Sequence, residues 1–342
     1  MHGVTPATRS APRDVSTLWI AWNAHRRTTG LCAAWDIPLH VEQSKLPGPL
    51  RWGELAIKTL QLLRISRPAI LFVQNPSLVL TSLVVSCRPL FGYRLVVDAH
   101  NEGVRPFDRP YALVRWLTRR LLKTADVTIV TNDALQEDVL AAGGRPLTLP
   151  DSLPVIPELA SMPARDSDTP SIAVIATFRA DEPIAEIFAA AATMPDIRFS
   201  ISGPSKRYRG SSGEIPPNVR LTGFLPDSEY WQLLAQATVV CDLTLKPDCI
   251  VCGAYEALAV GKPMVLSDNP ATRELFGPAA ILTGNGAEEI AAALRKAIDD
   301  RRRLASNARQ LRETFQVRWQ SQAAAVWGSI VGNPARETRT AV

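Results

Sequence analysis

The chain has 342 residues, which suits two domains of about 150 residues each better than one core. Hydrophobic residues make up 46% of it and charged residues 21%, which excludes a disordered or fibrous protein. The net charge of +5 permits an anionic partner. Because the sequence contains no helix-turn-helix, zinc-finger or ribonucleoprotein motif, we expect no nucleic acid partner.

The five cysteines form an odd and sparse set, as is typical of reduced thiols. Residues 1–16 lack the apolar run of a secretion signal and are predicted to be a disordered tail. The longest apolar run, residues 78–87, is too short for a membrane span of about 20 residues. We therefore expect a cytoplasmic protein.

Short apolar runs alternate with amphipathic stretches through the first half of the chain. The predicted strands are residues 18–22, 69–73, 94–97 and 127–130, and the predicted helices are residues 53–64, 77–87 and 113–123. Continuous apolar runs separated by helices are typical of a parallel sheet covered on both faces. Residues 17–152 are therefore predicted to form an N-terminal Rossmann-like domain.

A proline-rich stretch, residues 153–170, is predicted to be a linker. The alternation then restarts, with predicted strands at residues 172–175, 198–201, 219–221, 239–243 and 264–266 and predicted helices at 184–192, 227–236, 254–259 and 287–300. Residues 171–316 are predicted to form a second Rossmann-like domain, residues 317–331 a C-terminal helix returning to the first domain, and residues 332–342 a tail. Since ligands bind at the carboxyl ends of parallel strands, the two domains are expected to face each other across a cleft.

The strongest motif covers residues 246–268 and predicts a strand end, a loop, a helix, a turn and another strand. The amide groups and positive dipole at the start of this helix favour a diphosphate. The loop residues expected to contact that diphosphate are Cys249, Ile250, Val251, Cys252 and Gly253. Glu256 could accept hydrogen bonds from both hydroxyls of a ribose, and Asp248 could hold hydroxyls of a transferred sugar. An ordinary loop with surface carboxylates is the alternative.

This stretch resembles the donor-binding signature of the GT-B glycosyltransferases of family 4. In that signature an acidic residue, seven others and a glutamate precede a Gly-Lys-Pro turn; here the two acids are Asp248 and Glu256. The family usually has glutamate first, so Asp248 is a departure. The resemblance implies an α/β fold of two facing Rossmann-like domains with parallel sheets, and a nucleotide sugar donor. We expect no metal ion or other cofactor.

Three further segments fit the same resemblance. The strand and turn ending in Gly223, Phe224 and Leu225 lie where family members contact the nucleobase. The turn at 201–206 resembles the family's second-strand glycine turn and makes Lys206 a candidate phosphate contact, although a solvated basic loop explains it equally well. Arg179 could replace a missing family cation.

In the first domain, the Phe-Val-Gln-Asn-Pro-Ser stretch at 72–77 and the Val-Asp-Ala-His-Asn stretch at 97–101 resemble segments of the chitobiosyldiphosphodolichol beta-mannosyltransferases. Those enzymes mannosylate a lipid-linked acceptor, so a glycan or polyprenyl-linked acceptor is implied. If the reaction inverts configuration, Asp98 or His100 would take the acceptor proton; if it retains configuration, His100 would hold the donor sugar. The candidate acceptor contacts are His25, Arg26, Arg27, Asn75, Asn101 and Glu102.

The predicted helix 113–123 has an amphipathic pattern that favours an anionic membrane surface. At about 100° per residue, one face is apolar and the other is cationic. The apolar face holds Leu113, Val114, Leu117 and Leu121; the cationic face holds Arg115, Arg119, Arg120 and Lys123, with Trp116 among them. We expect peripheral attachment to the inner face of the membrane, with a solvated Rossmann helix as the alternative.

Other functions fit parts of the sequence. A nucleotide-sugar 2-epimerase would share the two-domain fold, and a noncatalytic sugar-binding subunit would keep it. The Cys249–Cys252 pair has the spacing of a redox motif, but no second pair completes a zinc site. Asp166 and Asp168 imitate a metal-binding Asp-x-Asp, yet they lie in the proline-rich linker.

Overall fold

A computed structural model describes residues 15–75, 77–106, 111–157, 169–208 and 214–332. Its contacts divide the chain into two units. The N-terminal unit includes the chain up to Pro150 and again from Ser321, and the C-terminal unit runs from Asp151 to Gln320. Most of the predicted linker, residues 158–168, and of the two predicted tails, residues 1–14 and 333–342, lies outside the described residues.

The described part of the N-terminal unit contains one parallel sheet with strand order β2-β1-β3-β4-β5-β6. The strands are β1 (Thr17–Ala21), β2 (Leu39–Val41), β3 (Ile70–Asn75), β4 (Arg94–Ala99), β5 (Val127–Val130) and β6 (Pro146–Thr148). The helices are α1 (Arg26–Trp35), α2 (Gly48–Ser66), α3 (Leu78–Phe91), α4 (Asn101–Val104), α5 (Ala112–Thr124) and α6 (Asp133–Ala141). Every residue of β3 is buried, as expected for a strand covered on both faces.

The described part of the C-terminal unit contains a second parallel sheet, with order β12-β11-β10-β7-β8-β9. Its strands are β7 (Ser171–Ile175), β8 (Arg198–Ser202), β9 (Val219–Gly223), β10 (Val239–Asp242), β11 (Met264–Ser267) and β12 (Ala280–Thr283). The helices are α7 (Ile184–Ala192), α8 (Asp227–Gln236), α9 (Cys252–Ala259), α10 (Pro270–Phe276), α11 (Ala287–Asp299) and α12 (Arg301–Val331), and there are 3-10 turns at Ser205–Arg207 and Gly277–Ala279.

Helix α12 runs without a break from Arg301 to Val331, so no separate helix starts at residue 317. Its last turns pack in the N-terminal unit, where the Trp35 indole donates to the carbonyl of Ala323 at 3.0 Å. Trp327 stacks on Trp35 and Phe72 at centroid distances of 5.6 and 6.2 Å. The end of α12 is therefore held by aromatic packing against the first sheet.

The predicted fold class, with two parallel sheets flanked by helices, is confirmed. All nine predicted strands and seven predicted helices are present, most with ends shifted by one to three residues. The sequence analysis missed the edge strands β2, β6 and β12. Among the described residues, no helix is long and apolar enough to cross a membrane.

Each sheet has a point where the strand order reverses, and ligands bind there in open α/β sheets. In the N-terminal unit that point lies between β1 and β3, and in the C-terminal unit it lies between β7 and β10. The segments that follow β1, β7 and β10 carry His25 to Arg27, Arg179 and the stretch from Asp248 to Glu256, whereas Asp98 and His100 lie at the end of β4 and just after it.

Candidate functional site

The loops after β7 and β10 are fastened together at the reversal point of the C-terminal sheet. Lys246 Nζ lies 2.8 Å from Asp181 Oδ2, and both side chains are largely buried. The backbone N–H of Leu245 donates to the carbonyl of Asp181 at 2.7 Å. Glu182 accepts the backbone N–H groups of Thr177 and Phe178 at 2.8 to 2.9 Å. These contacts hold the loop after β7 against the loop after β10.

The start of α9 is closed by a buried carboxylate that the sequence analysis did not identify. Asp242 ends β10, and its Oδ2 accepts the backbone N–H of Gly253 at 2.9 Å. Burial raises the pKa of Asp242 well above its ordinary value, and the negative charges of Glu182 and Glu256 raise it further. The prediction for Gly253 needs correction, because its amide already binds Asp242 and does not face a phosphate.

Glu256 lies one turn into α9, where only 6% of it is exposed. Its Oε2 accepts a hydrogen bond from the hydroxyl of Tyr230 on α8. Its role as a ribose contact stays a prediction.

Two glycine turns lie side by side at the ends of β8 and β9. The backbone N–H of Gly203 donates to the carbonyl of Gly223 at 3.1 Å. A side chain at Gly203 would come within 1.7 Å of the carbonyl oxygen of Ala176, so only glycine fits there. Phe224 follows with 86% of its surface exposed, and Leu225 is half-buried. The structure thus brings the predicted nucleobase turn beside the predicted second-strand turn.

The remaining donor-side candidates line the same edge of the sheet. Asp248 has a left-handed backbone with φ of 52° and is half-buried. The carbonyl of Cys249 accepts from the Asn269 side chain at 3.2 Å. The half-buried residues of the loop are Cys249, Ile250 and Val251. The exposed residues are Cys252, Arg179 and Lys206. Arg179 Nε lies 3.7 Å from Asp181 Oδ1. Arg179 and Lys206 thus place exposed positive charge at this edge of the sheet.

In the N-terminal unit, Arg27 and Asp98 form a buried ion pair. Arg27 Nε donates to Asp98 Oδ1 at 2.8 Å and Arg27 Nη1 to the carbonyl of Leu149 at 2.9 Å. Arg27 is 2% exposed and Asp98 is 0% exposed. Burial alone would raise the pKa of Asp98, but Arg27 and His100 hold it well below its ordinary value. Two expectations are therefore corrected: Arg27 is buried rather than exposed as an acceptor contact, and Asp98 is fully buried and paired with Arg27, so it presents no surface to an acceptor hydroxyl.

His100 is partly exposed, whereas Asp98 is fully buried. Its Nε2 lies 3.4 Å from Asp98 Oδ2, and 19% of its side chain is exposed. The His25 ring packs edge-on against it at 4.3 Å, and His25 Nδ1 accepts the backbone N–H of Arg27 at 3.3 Å. A histidine that faces a carboxylate through one nitrogen can accept a proton on the other. The residues His25, Arg27, Asp98 and His100 thus form one cluster.

The other predicted acceptor contacts differ in exposure. Asn75 is fully buried in β3, where its Nδ2 donates to the carbonyl of Gly103 at 3.0 Å and its Oδ1 meets no donor among the described residues. It cannot contact an acceptor without a movement, so this prediction is corrected. Arg26 is exposed at the start of α1, and Asn101 and Glu102 are half-buried in α4.

The amphipathic helix α5 packs differently from the predicted pattern. Its buried residues are Thr118, Leu121 and Leu122, whereas Leu113 is 71% exposed and Trp116 is 58% exposed. Arg115, Arg119, Arg120 and Lys123 are also exposed. The predicted apolar face is therefore split, because Leu121 faces the core and Leu113 faces solvent with the cations.

Sequence reasoning missed Asp181, Glu182, Asp242, Lys246 and Tyr230. Asp242 carried a usable signal, since it interrupts an otherwise apolar predicted strand. Tyr230 carried none, because its partner Glu256 lies 26 positions away along the chain. In the described ranges, no group of three or more His, Cys, Asp or Glu side chains is placed to hold a metal ion.

Comparisons with known proteins bear on the fold. Residues 179–326 match the family model described as "Glycosyl transferase-like". The fold is similar to sucrose-phosphate synthase from Thermosynechococcus elongatus, with a TM-score of 0.73, 14% identity and coverage of 93% of this chain and 99% of that one. It is also similar to Anabaena HepE in complex with UDP and glucose, with a TM-score of 0.72, 16% identity and coverage of 92% and 100%. No curated protein matches the chain by sequence.

A putative UDP-N-acetylglucosamine 2-epimerase from Listeria monocytogenes matches with a TM-score of 0.58 and 13% identity over 96% of this chain and 100% of that one. The chain therefore has the GT-B glycosyltransferase fold, and the predicted resemblance is confirmed at that level. The narrower resemblance to the mannosyltransferases stays a prediction.

Proposed function

We propose that the protein is a glycosyltransferase that transfers a hexose from a nucleoside diphosphate sugar to a glycan or polyprenyl-linked acceptor. The observation that carries this proposal is the set of ordered loops at the reversal point of the C-terminal sheet. The glycine turns after β8 and β9 and the exposed cations Arg179 and Lys206 lie at the same carboxyl edge of this sheet, and Glu256 lies one turn into α9. The family model matches residues 179–326, which include most of this unit. Because HepE was solved with UDP, a uridine nucleotide is the first donor to test.

In the proposed inverting reaction, an acceptor hydroxyl oxygen bonds to the anomeric carbon as the bond from that carbon to the diphosphate breaks. The acceptor proton passes to His100, and the nucleoside diphosphate leaves. Asp98 stays ionised beside His100 and stabilises the imidazolium that forms, much as a buried carboxylate does in a hydrolase triad. Arg27 keeps Asp98 charged and fixes its orientation.

Exposed apolar side chains support a lipid-linked acceptor. In a strand-helix-strand unit, the helix begins at the carboxyl edge of the sheet, which is the edge that carries His100. Seven exposed large apolar residues lie on or just before the first turns of α2, α3 and α5: Leu46, Leu50, Trp52, Val79, Tyr111, Leu113 and Trp116. Aromatic and apolar groups beside cations are typical of an interfacial surface. A role in cell-surface polysaccharide or glycoconjugate synthesis, with peripheral binding to the inner leaflet, follows from such an acceptor.

A donor panel tests the proposal. UDP-, GDP- and dTDP-sugars are screened by thermal shift, and binding ligands are then assayed for transfer. A ligand at 100 times its Kd stabilises the folded state by about 2.7 kcal/mol, which is readily measured. We expect transfer to continue in EDTA, because cations and backbone amides are proposed to neutralise the diphosphate. If no nucleotide shifts the melting temperature, the proposal fails.

Vesicle co-sedimentation tests the membrane part. Binding to vesicles with about 20% anionic lipid should fall when Arg115, Arg119, Arg120 and Lys123 are all replaced by glutamine. Exchanging Leu113 and Trp116 for serine should weaken binding independently of salt. Equal binding by all variants would remove α5 from the proposal.

The similarity to a putative 2-epimerase favours one second candidate function, epimerisation of the donor sugar. Product analysis separates the two. An epimerase yields a changed sugar without an acceptor, whereas a transferase needs the acceptor and leaves the sugar attached to it.

A further inference from the structure

The hydroxyl of Tyr230 connects two parts of the C-terminal unit that are distant in sequence. Tyr230 lies in the first turns of α8, a few residues after the turn that contains Phe224. Glu256 lies in α9 and accepts the Tyr230 hydrogen bond on Oε2. The contact thus joins the helix that follows the predicted nucleobase turn to the predicted ribose carboxylate.

Glu256 lies near two other carboxyl groups, those of Asp242 and Glu182. The charges of Glu182 and Glu256 both act on the buried Asp242. Two of these three carboxylates receive backbone N–H groups, Glu182 from Thr177 and Phe178 and Asp242 from Gly253. A hydrogen bond to a charged acceptor is stronger than one to a neutral acceptor. The Tyr230 hydroxyl therefore both stabilises the charge on Glu256 and restricts the rotation of its side chain.

A restricted carboxylate binds a ligand more tightly than a mobile one, because less conformational freedom is lost on binding. We propose that Tyr230 is a positioning residue, which holds Glu256 in the orientation that binds the ribose of the donor. This inference rests on the proposed function.

Calorimetry with UDP tests the proposal. The proteins are wild type, Tyr230→Phe, Glu256→Gln and the double variant. Tyr255→Phe is the control, because it removes a hydroxyl from the neighbouring residue of α9, which contacts Asp151 instead. We expect Tyr230→Phe to weaken UDP binding about tenfold, in line with the loss of one charge-assisted hydrogen bond. In the Glu256→Gln background, Tyr230→Phe should change the Kd for UDP by less than about twofold, as expected for two residues that act through one contact.

Two further readouts distinguish positioning from a purely structural role. Wild type should bind UDP more tightly than 2′,3′-dideoxyuridine diphosphate, which lacks the ribose hydroxyls. The ratio of these two affinities should be smaller in Tyr230→Phe, because the ribose contact is the one affected. The donor KM should rise while kcat stays within about twofold, as for a contact present equally in the ground and transition states.

The outcomes separate the two proposals. If Tyr230→Phe melts at a lower temperature but binds UDP like wild type, Tyr230 is structural and the inference fails while the donor assignment stands. The same holds if Tyr255→Phe weakens binding as much as Tyr230→Phe. If wild type binds none of UDP, GDP and dTDP, the proposed function and this inference fall together.

Discussion

Removing the charge of Asp98 should destabilise the N-terminal unit strongly. Asp98→Asn keeps the shape of the side chain but leaves the guanidinium of Arg27 buried without a counter-charge. Removing one partner of a fully buried pair costs about 3 to 5 kcal/mol. The control is Asp138→Asn, whose ion pair with Arg105 is about one-third exposed, so its loss should cost at most about 1 kcal/mol.

Urea unfolding monitored by tryptophan fluorescence measures this cost. Six of the eight tryptophans lie in the N-terminal unit, so the signal reports mainly on that unit. The two units can unfold separately, so the transition is analysed together with circular dichroism to identify a second step. We expect the midpoint to fall for Asp98→Asn and to stay nearly constant for Asp138→Asn. Equal midpoints for wild type and Asp98→Asn would refute the reasoning.

The pH dependence provides a second check on the same pair. Because the pKa of Asp98 is lowered in the folded state, its contribution to stability is present above the ordinary value of 3.8. That contribution is lost only as the pH falls through the lowered pKa. The difference in unfolding free energy between wild type and Asp98→Asn should therefore persist at neutral pH and shrink in strong acid.

Three further predictions follow from the site. His100→Ala should lower turnover by about 100-fold or more, the usual contribution of a general base, while calorimetry shows unchanged UDP affinity; a loss of UDP binding would place His100 on the donor side instead. Glu256→Gln should weaken UDP binding by about tenfold or more, since charge-assisted hydrogen bonds become neutral ones, and unchanged affinity would contradict the ribose assignment. Asp242 has a raised pKa, so the folded state holds its proton more tightly than the unfolded state, and stability is lost as the pH rises from about 3.8 through the raised pKa. Thermal melts should therefore show Asp242→Asn gaining stability relative to wild type as the pH increases, and a constant difference at all pH values would contradict the raised pKa.

The sequence predicted the elements that bury continuous apolar runs and missed those that do not. Strands β2, β6 and β12 are three or four residues long and lie at sheet edges, where half-exposed positions give a weak apolar signal. The donor-side loop was recognisable because its acids, glycines and helix start lie within 23 consecutive residues. In contrast, the pairing of Arg27 with Asp98 joins positions 71 residues apart and depends on the order of strands in the sheet. Burial of a charged side chain in such a pair cannot be predicted from local pattern alone.

The contact between Gly253 and Asp242 limits how this chain can diverge. A methyl group at position 253 would lie 2.3 Å from Asp242 Oδ2 and 2.6 Å from the side chain of Ile175. Alanine at 253 would require both Asp242 and Ile175 to move, because the added methyl group would also lie 2.9 Å from the Cβ of Asp242. Shortening residue 242 alone would not make room, so positions 175, 242 and 253 should change together as the sequence diverges.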